Sequence, residues 1–262
     1  MTPVGGAMEP TVEPASPERN VMLVVEYDGT CYHGFQLQAA DVPTVQGELE
    51  RGLRQVTGIV TRVAGAGRTD RGVHAAGQVV SFRTRSALEA AVLQRALNAV
   101  LPADIAVLAA AELPPDFHAR FSARSREYRY TILNRPVRTA LERQLTYHVA
   151  TPLDVAAMAE AARQLVGEHD FVSFASAGEK VASTVRRVLA ADCRREGVKI
   201  YVDIAANAFL PHMVRNIVGT LLPVGTGRLD LPGFQEIFGA RQRRQAGPTA
   251  PARGLCLMRV NY

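Results

Sequence analysis

Tryptophan is absent from this 262-residue chain, cysteine occurs three times, and lysine stands only at Lys180 and Lys199. Cys31, Cys193 and Cys256 lie far apart. An odd, sparse set of that kind argues against a disulfide framework and for a reducing compartment. No C-x-x-C or H-E-x-x-H spacing occurs, so a dedicated metal site has little support. No apolar run is long enough to span a bilayer. The longest, Ala87 to Leu113, is broken by Arg95, Pro102 and Asp104. Met1 to Asn20 has neither the apolar segment nor the basic start of a signal peptide. Rich in Pro, Glu, Thr and Gly, residues 1–20 read as a disordered tail ahead of a cytoplasmic protein.

What remains is an ordinary globular composition, 47% hydrophobic and 21% charged, able to bury a core as one large domain or two small ones. The net charge of +5 points to an anionic partner. That charge is carried almost wholly by arginine. A guanidinium pairs phosphate with a planar fork and stacks on bases, which leans toward nucleic acid.

Hydrophobic periodicity divides the chain after the tail. Val21 to Glu26 is predicted as a strand, Thr44 to Val56 as a helix, and Ile59 to Ala66 and Gly77 to Phe82 as two strands. Ala87 to Val100 follows as a helix stopped by Pro102, then Ile105 to Ala111 as a strand. Strand, helix, strand, strand, helix, strand is the ferredoxin-like order, shared with RNA-binding domains. A looser copy follows a junction at Pro114-Pro115-Asp116. Strands are predicted at Glu127 to Leu133, Gln144 to Val149, Val185 to Cys193, Lys199 to Ala206 and Leu255 to Val260. Helices are predicted at Asp154 to Leu165, started by Thr151-Pro152, and at Met213 to Leu222. The fold class is α+β, with halves at 21–114 and 115–262.

Between the second and third strands runs Gly65-Ala66-Gly67-Arg68-Thr69-Asp70-Arg71-Gly72-Val73-His74. It places one carboxylate on a tight glycine-rich turn with an arginine on each side, and Arg68 and Arg71 are expected to hold Asp70 ionised. Two nucleotide motifs are half matched and fail. Asp70 stands where a dinucleotide fingerprint needs its third glycine, and Val73-His74 where a P-loop needs Lys-Ser/Thr. No nucleotide cofactor is therefore expected. A solvated aspartate on an ordinary hairpin is the plain alternative, since turns favour Asp and Gly.

Gly67 to His74, followed by Gly77-Gln78-Val79-Val80-Ser81-Phe82, resembles the active-site signature of the tRNA pseudouridine synthase A family. Further blocks agree in order. They are Val25 to Thr30 with Tyr32 to Gln36, Asp116 to Ala123 with Tyr128-Arg129-Tyr130, Asn207 to Leu210, and His212 to Gly219. The resemblance runs from about Val21 to Tyr262. It implies the pseudouridine synthase fold, two α+β halves with antiparallel sheets joined around a central cleft. It implies an isomerase without cofactor or metal, converting uridine to pseudouridine at positions 38, 39 and 40 of the tRNA anticodon stem-loop. A homodimer is implied as well.

Residue by residue, the resemblance makes Asp70 the catalytic group, attacking C1′, adding to C6, or taking a sugar proton. It sets Tyr128 against the target uracil, pairs Arg215 with Asp70, and lets Arg68 hold the target nucleotide out of the stem. Phe117-His118-Ala119-Arg120-Phe121 matches the tRNA-contacting segment, with Arg120 gripping phosphate while the aromatics pack beneath it. Ser183, Thr184 and Arg186 are a second, less closely matched contact. Strand alternation alone puts Arg126, Tyr128 and Tyr130 on one face and Arg129 on the other. Arg71 and Leu210-Pro211 depart from the family pattern.

Overall fold

The computed structural model describes residues 17–39, 42–176 and 182–262. Residues 1–16 of the expected tail lie outside the described residues. The first half runs β1 (Arg19–Tyr27), α1 (Val45–Thr57), β2 (Ala64–Gly65), β3 (His74–Thr84), α2 (Ala90–Val100) and β4 (Ile105–Leu113). The second runs β5 (Ser125–Asn134), β6 (Tyr147–Val149), α3 (Val155–Arg163), β7 (Gly167–Asp170), β8 (Val185–Glu196), β9 (Lys199–Ala206), α4 (Met213–Gly225), α5 (Leu231–Gly239) and β10 (Leu255–Asn261).

All ten strands belong to one sheet, ordered β4-β1-β3-β10-β5-β9-β8-β7, with β2 on β3 and β6 on β5. The order hides a repeat. β4-β1-β3-β2 is the ferredoxin-like arrangement, and β10-β5-β9-β8 repeats it. The two copies are welded by the last strand, which pairs antiparallel with β5 and parallel with β3 at Cys256↔His74 and Leu257↔Ala75. The outer edge of β3 is thereby shared. β2 takes one end, at Ala64↔Ser81 and Gly65↔Val80, and β10 takes the other. The glycine-rich run leaves the sheet where these two partners diverge.

The helices form for local reasons. Thr44 caps α1 by accepting from Gly47 N, its residues Val45, Leu49 and Leu53 face the core, and Gly58 ends it at φ 72°. Asp154, not Thr151-Pro152, starts α3, because its carboxylate accepts from Ala157 N. Asp230 caps α5 on Gly233 N, a helix the periodicity missed. β2 is shorter than expected, since Val63 meets side chains of α1. Its N–H donates to Glu50 Oε1 and its carbonyl accepts from Gln46 Nε2. Only Tyr147–Val149 of the expected strand from Gln144 pairs, because a turn closes from Leu145 N to Glu142 O. The short β7 was also unforeseen. It adds to the edge of β8, where sheet context outweighs its polar sequence.

Leu257, on the strand that joins the halves, is fully buried, whereas Leu141 is 94% exposed. Leu257→Ala is expected to lower unfolding stability by about 2–5 kcal/mol in urea melts. Leu141→Ala is expected to change it by no more than about 0.5 kcal/mol.

Candidate active site

The glycine-rich loop is clamped along its length. Ala66 N donates to Val79 O at 2.8 Å, and the Gly67 carbonyl accepts from Gln78 Nε2 at 2.7 Å. Thr69 Oγ1 lies 2.7 Å from the buried Tyr27 hydroxyl, and Thr69 O accepts from Phe35 N at 3.0 Å. Gly72 takes φ 75°, and Val73 N closes the turn onto Asp70 O at 3.1 Å. Gly34 sits at φ 102°, and a Cβ there would stand 2.7 Å from Thr69 O. The two early sequence blocks around Tyr27 and Gly34 are thus the cradle of this loop.

Asp70 emerges at the loop's tip. Its Oδ2 lies 2.9 Å from Arg215 Nη1 and 3.4 Å from His212 Nε2, both from the other half of the chain. The Arg215 Nε donates to Ala250 O at 2.8 Å, which fixes the guanidinium. Arg68 and Arg71, expected to hold the carboxylate, do neither. Both are exposed and neither forms an ion pair with Asp70 among the described residues. Adjacency in sequence fails here because a tight turn splays consecutive side chains outward, while α4 reaches in from across the sheet.

Tyr128 is buried beside it, with its ring edge-on to Phe209 at 4.9 Å. Burial, and then the neighbouring Tyr27 and Asp70, push its phenol well above the usual range, so it stays protonated. Asp70, Tyr128, Phe209, His212 and Arg68 line one open cleft of about 990 Å³. Arg215 meets Asp70 at its floor.

The two expected contact segments contribute unequally to this cleft. His118, Arg120 and Phe121 form one wall, and Ser183 and Arg186 stand on another. The aromatics do not both pack beneath Arg120. Phe117 packs on Tyr262 at 4.8 Å, and Phe121 is 76% exposed, backed by His118 at 4.5 Å and by the Arg120 guanidinium at 5.6 Å. Ala119 is fully buried, its N–H donating to Ser81 Oγ, and presents no surface. Thr184 is tied by its carbonyl to Phe171 N and does not line the cleft.

Three residues near the carboxylate were not foreseen as site residues. His212 opened a matched sequence block but was given no role of its own, and its partner Ser176 gave no signal. Arg126 gave one, because alternation placed it on the face of Tyr128. It is buried with no carboxylate in ion-pair reach among the described residues. Its fork donates instead to backbone carbonyls of Ala66, Arg120 and Asn207, each at 2.8 Å. One side chain therefore ties the base of the Asp70 loop to two other cleft walls. Burial lowers its pKa from the ordinary arginine value. Among the described residues no group of three or more His, Cys, Asp or Glu could hold a metal ion, and no helix is long and apolar enough to cross a membrane.

Comparison with known proteins bears on this geometry. A family model described as tRNA pseudouridine synthase matches residues 23–122 and 161–262. The tRNA pseudouridine synthase A of Moorella thermoacetica is 50% identical over 241 residues, covering 92% of this chain and 98% of that protein. The Acetivibrio thermocellus protein of the same name is 44% identical over 244 residues, covering 93% of this chain and all of its own length. That of Halalkalibacterium halodurans is 47% identical, with 93% and 92% covered.

Burial raises the phenols of Tyr27, Tyr32, Tyr128, Tyr130 and Tyr262. Each favours the folded state while the unfolded chain's phenols are neutral, and that stability is lost as pH rises past about 10. Ultraviolet titration to about pH 11 should leave these five un-ionised in the folded protein and ionise them on unfolding. Their ionisation in the native state would contradict the burial described.

Proposed function

The chain belongs to the tRNA pseudouridine synthase A family, and from that premise we propose how its cleft isomerises uridine to pseudouridine in tRNA. The observation that carries the reading is Asp70. One carboxylate oxygen is held by Arg215 at 2.9 Å, on the floor of a cleft whose wall is the ring of Tyr128. The other oxygen has no partner among the described residues and is left for the substrate.

The reaction is a rearrangement. The N1–C1′ bond breaks, the base turns, and C5 bonds to C1′. The C5 hydrogen leaves as a proton and N1 gains one, so no redox partner or cofactor is required. An ionised Asp70 can serve by attack at C1′, by addition to C6, or by taking a sugar proton, and each route uses the same placement. Arg215 keeps the carboxylate charged and aimed. Tyr128 supplies a face for the uracil, a stacking contact of about 1–3 kcal/mol. Its raised phenol stays neutral and so is no base, and it can accept the C5 proton only if its own hydroxyl proton passes on in the same step, toward N1, which must gain one.

A uridine inside a stem has to leave it to reach this floor. Arg68, exposed and lining the cleft, fills the vacated space in this reading. His118, Arg120, Phe121, Ser183 and Arg186 then grip the flanking backbone. We assign the target uridines to positions 38, 39 and 40 of the anticodon stem-loop, the working form to a homodimer in which each tRNA touches both subunits, and the setting to the cytoplasm. The resemblance to the family implies the first two, and the sparse, unpaired cysteines favour the third. Sedimentation giving only monomer at working concentration would contradict the dimer.

Release of the C5 hydrogen from C5-tritiated tRNA tests the reading. Wild type should release tritium, and folded Asp70→Asn should be slower by about a thousandfold or more. A wild type that binds tRNA and releases nothing would leave an RNA-binding module instead. Binding should also weaken steeply with salt, since each arginine–phosphate contact releases counterions. A dissociation constant unchanged between low and high salt would contradict the basic-cleft account.

A further inference from the structure

His212 is held in an unfavourable backbone conformation beside the carboxylate. Its φ is 59°, in the left-handed region that residues with a Cβ rarely adopt, and it caps α4 without a side-chain bond to that helix. The conformation directs its ring over the glycine-rich loop. Nε2 stands 3.4 Å from Asp70 Oδ2, within ion-pair reach but long for a hydrogen bond. Nδ1 lies 2.8 Å from Ser176 Oγ, and that same oxygen lies 3.2 Å from the Pro211 carbonyl.

The serine hydroxyl gives the ring two satisfied states. When the imidazole is neutral with its proton on Nε2, the Ser176 O–H donates to Nδ1. When both nitrogens are protonated, Nδ1–H donates to Ser176 Oγ and the O–H turns to the Pro211 carbonyl. Neither state strands a polar atom of the pair. Among the described residues the charged groups facing the ring are Asp70, from the loop, and Arg215, three residues along α4 and already on the same Oδ2. Tyr128 faces Asp70 from β5 and stays un-ionised.

We infer that His212 is a protonation-dependent positioning residue for Asp70. Neutral, it leaves the carboxylate oriented by Arg215 alone. Protonated, it closes on Oδ2 as a second cation, makes the carboxylate less basic and less nucleophilic, and slows the isomerisation. Histidine is the side chain that changes charge between about pH 5 and 8, so the slowing falls on the acid side. The inference rests on Asp70 being the catalytic group.

Two measurements test it. Proton NMR of the His212 ring needs no turnover. Asp70→Asn removes the anion and leaves Arg215, so the ring should hold its proton less tightly. An unchanged affinity overturns the inference. The second compares single-turnover rates at about pH 8 and pH 5.5 within each protein. Asparagine accepts a left-handed φ and does not titrate, so His212→Asn keeps the backbone and loses the charge. The wild-type rate should fall about tenfold further on acidification than that of His212→Asn. Equal falls in wild type and His212→Asn overturn it. A wild type that makes no pseudouridine defeats the functional reading, and the NMR result then decides the inference alone.

Discussion

One ion pair across the seam between two halves organises this molecule. Asp70 comes from a loop of the first half and Arg215 from α4 of the second, 145 positions later, and they meet at 2.9 Å. Neither could be placed without the sheet being continuous. β10 supplies that continuity, lying between β3 and β5 and bonding to both. The last strand of the chain therefore sets the position of a carboxylate near its beginning.

The surrounding contacts keep the pair from relaxing. A half-exposed ion pair is worth little by itself in water. Here each partner is held independently. Asp70 is held by a loop bonded at Gly67, Thr69 and Gly72, and Arg215 by the Ala250 carbonyl. Arg126 adds a third tie, spending its donors on the carbonyls of Ala66, Arg120 and Asn207. A buried cation with no anion beside it among the described residues also leaves positive potential in a cleft that receives a polyanion. In the proposed reading, pre-placement of the carboxylate, rather than the strength of any one bond, is what the cleft contributes to the chemistry.

Much of this was legible in the sequence, and the exceptions have physical causes. The helix α1 showed itself by Val45, Leu49 and Leu53 at helical spacing, and β3 by the β-branched and aromatic residues Val79, Val80 and Phe82. The place of Asp70 on a glycine-rich turn was legible in the residues themselves, while its role was implied only by the family resemblance. Arg215 was legible only through family resemblance, since nothing local joins it to Asp70. The expectation that Arg68 and Arg71 hold the carboxylate failed because a tight turn points neighbours apart. Ala119 was included as a contact because a motif is read as a block, but an alternate residue in that block faces inward and is buried. β7 and α5 escaped because edge pairing onto β8 and packing of Phe234 into the core are tertiary effects. His212 escaped because its role depends on a left-handed φ that no sequence pattern announces.

Replacing Arg215 tests the central claim most directly. Arg215→Lys keeps the charge but loses the fork that binds Ala250 O and Asp70 together, and Arg215→Met removes both. With tRNA affinity measured beside single-turnover rates of pseudouridine formation, the ion-pair account predicts a definite pattern. The rate should fall about a hundredfold or more in Arg215→Met and less in Arg215→Lys, with affinity changed by no more than about threefold. A rate left intact with weakened affinity would contradict it, and would make Arg215 a contact for the RNA rather than the residue that aims Asp70.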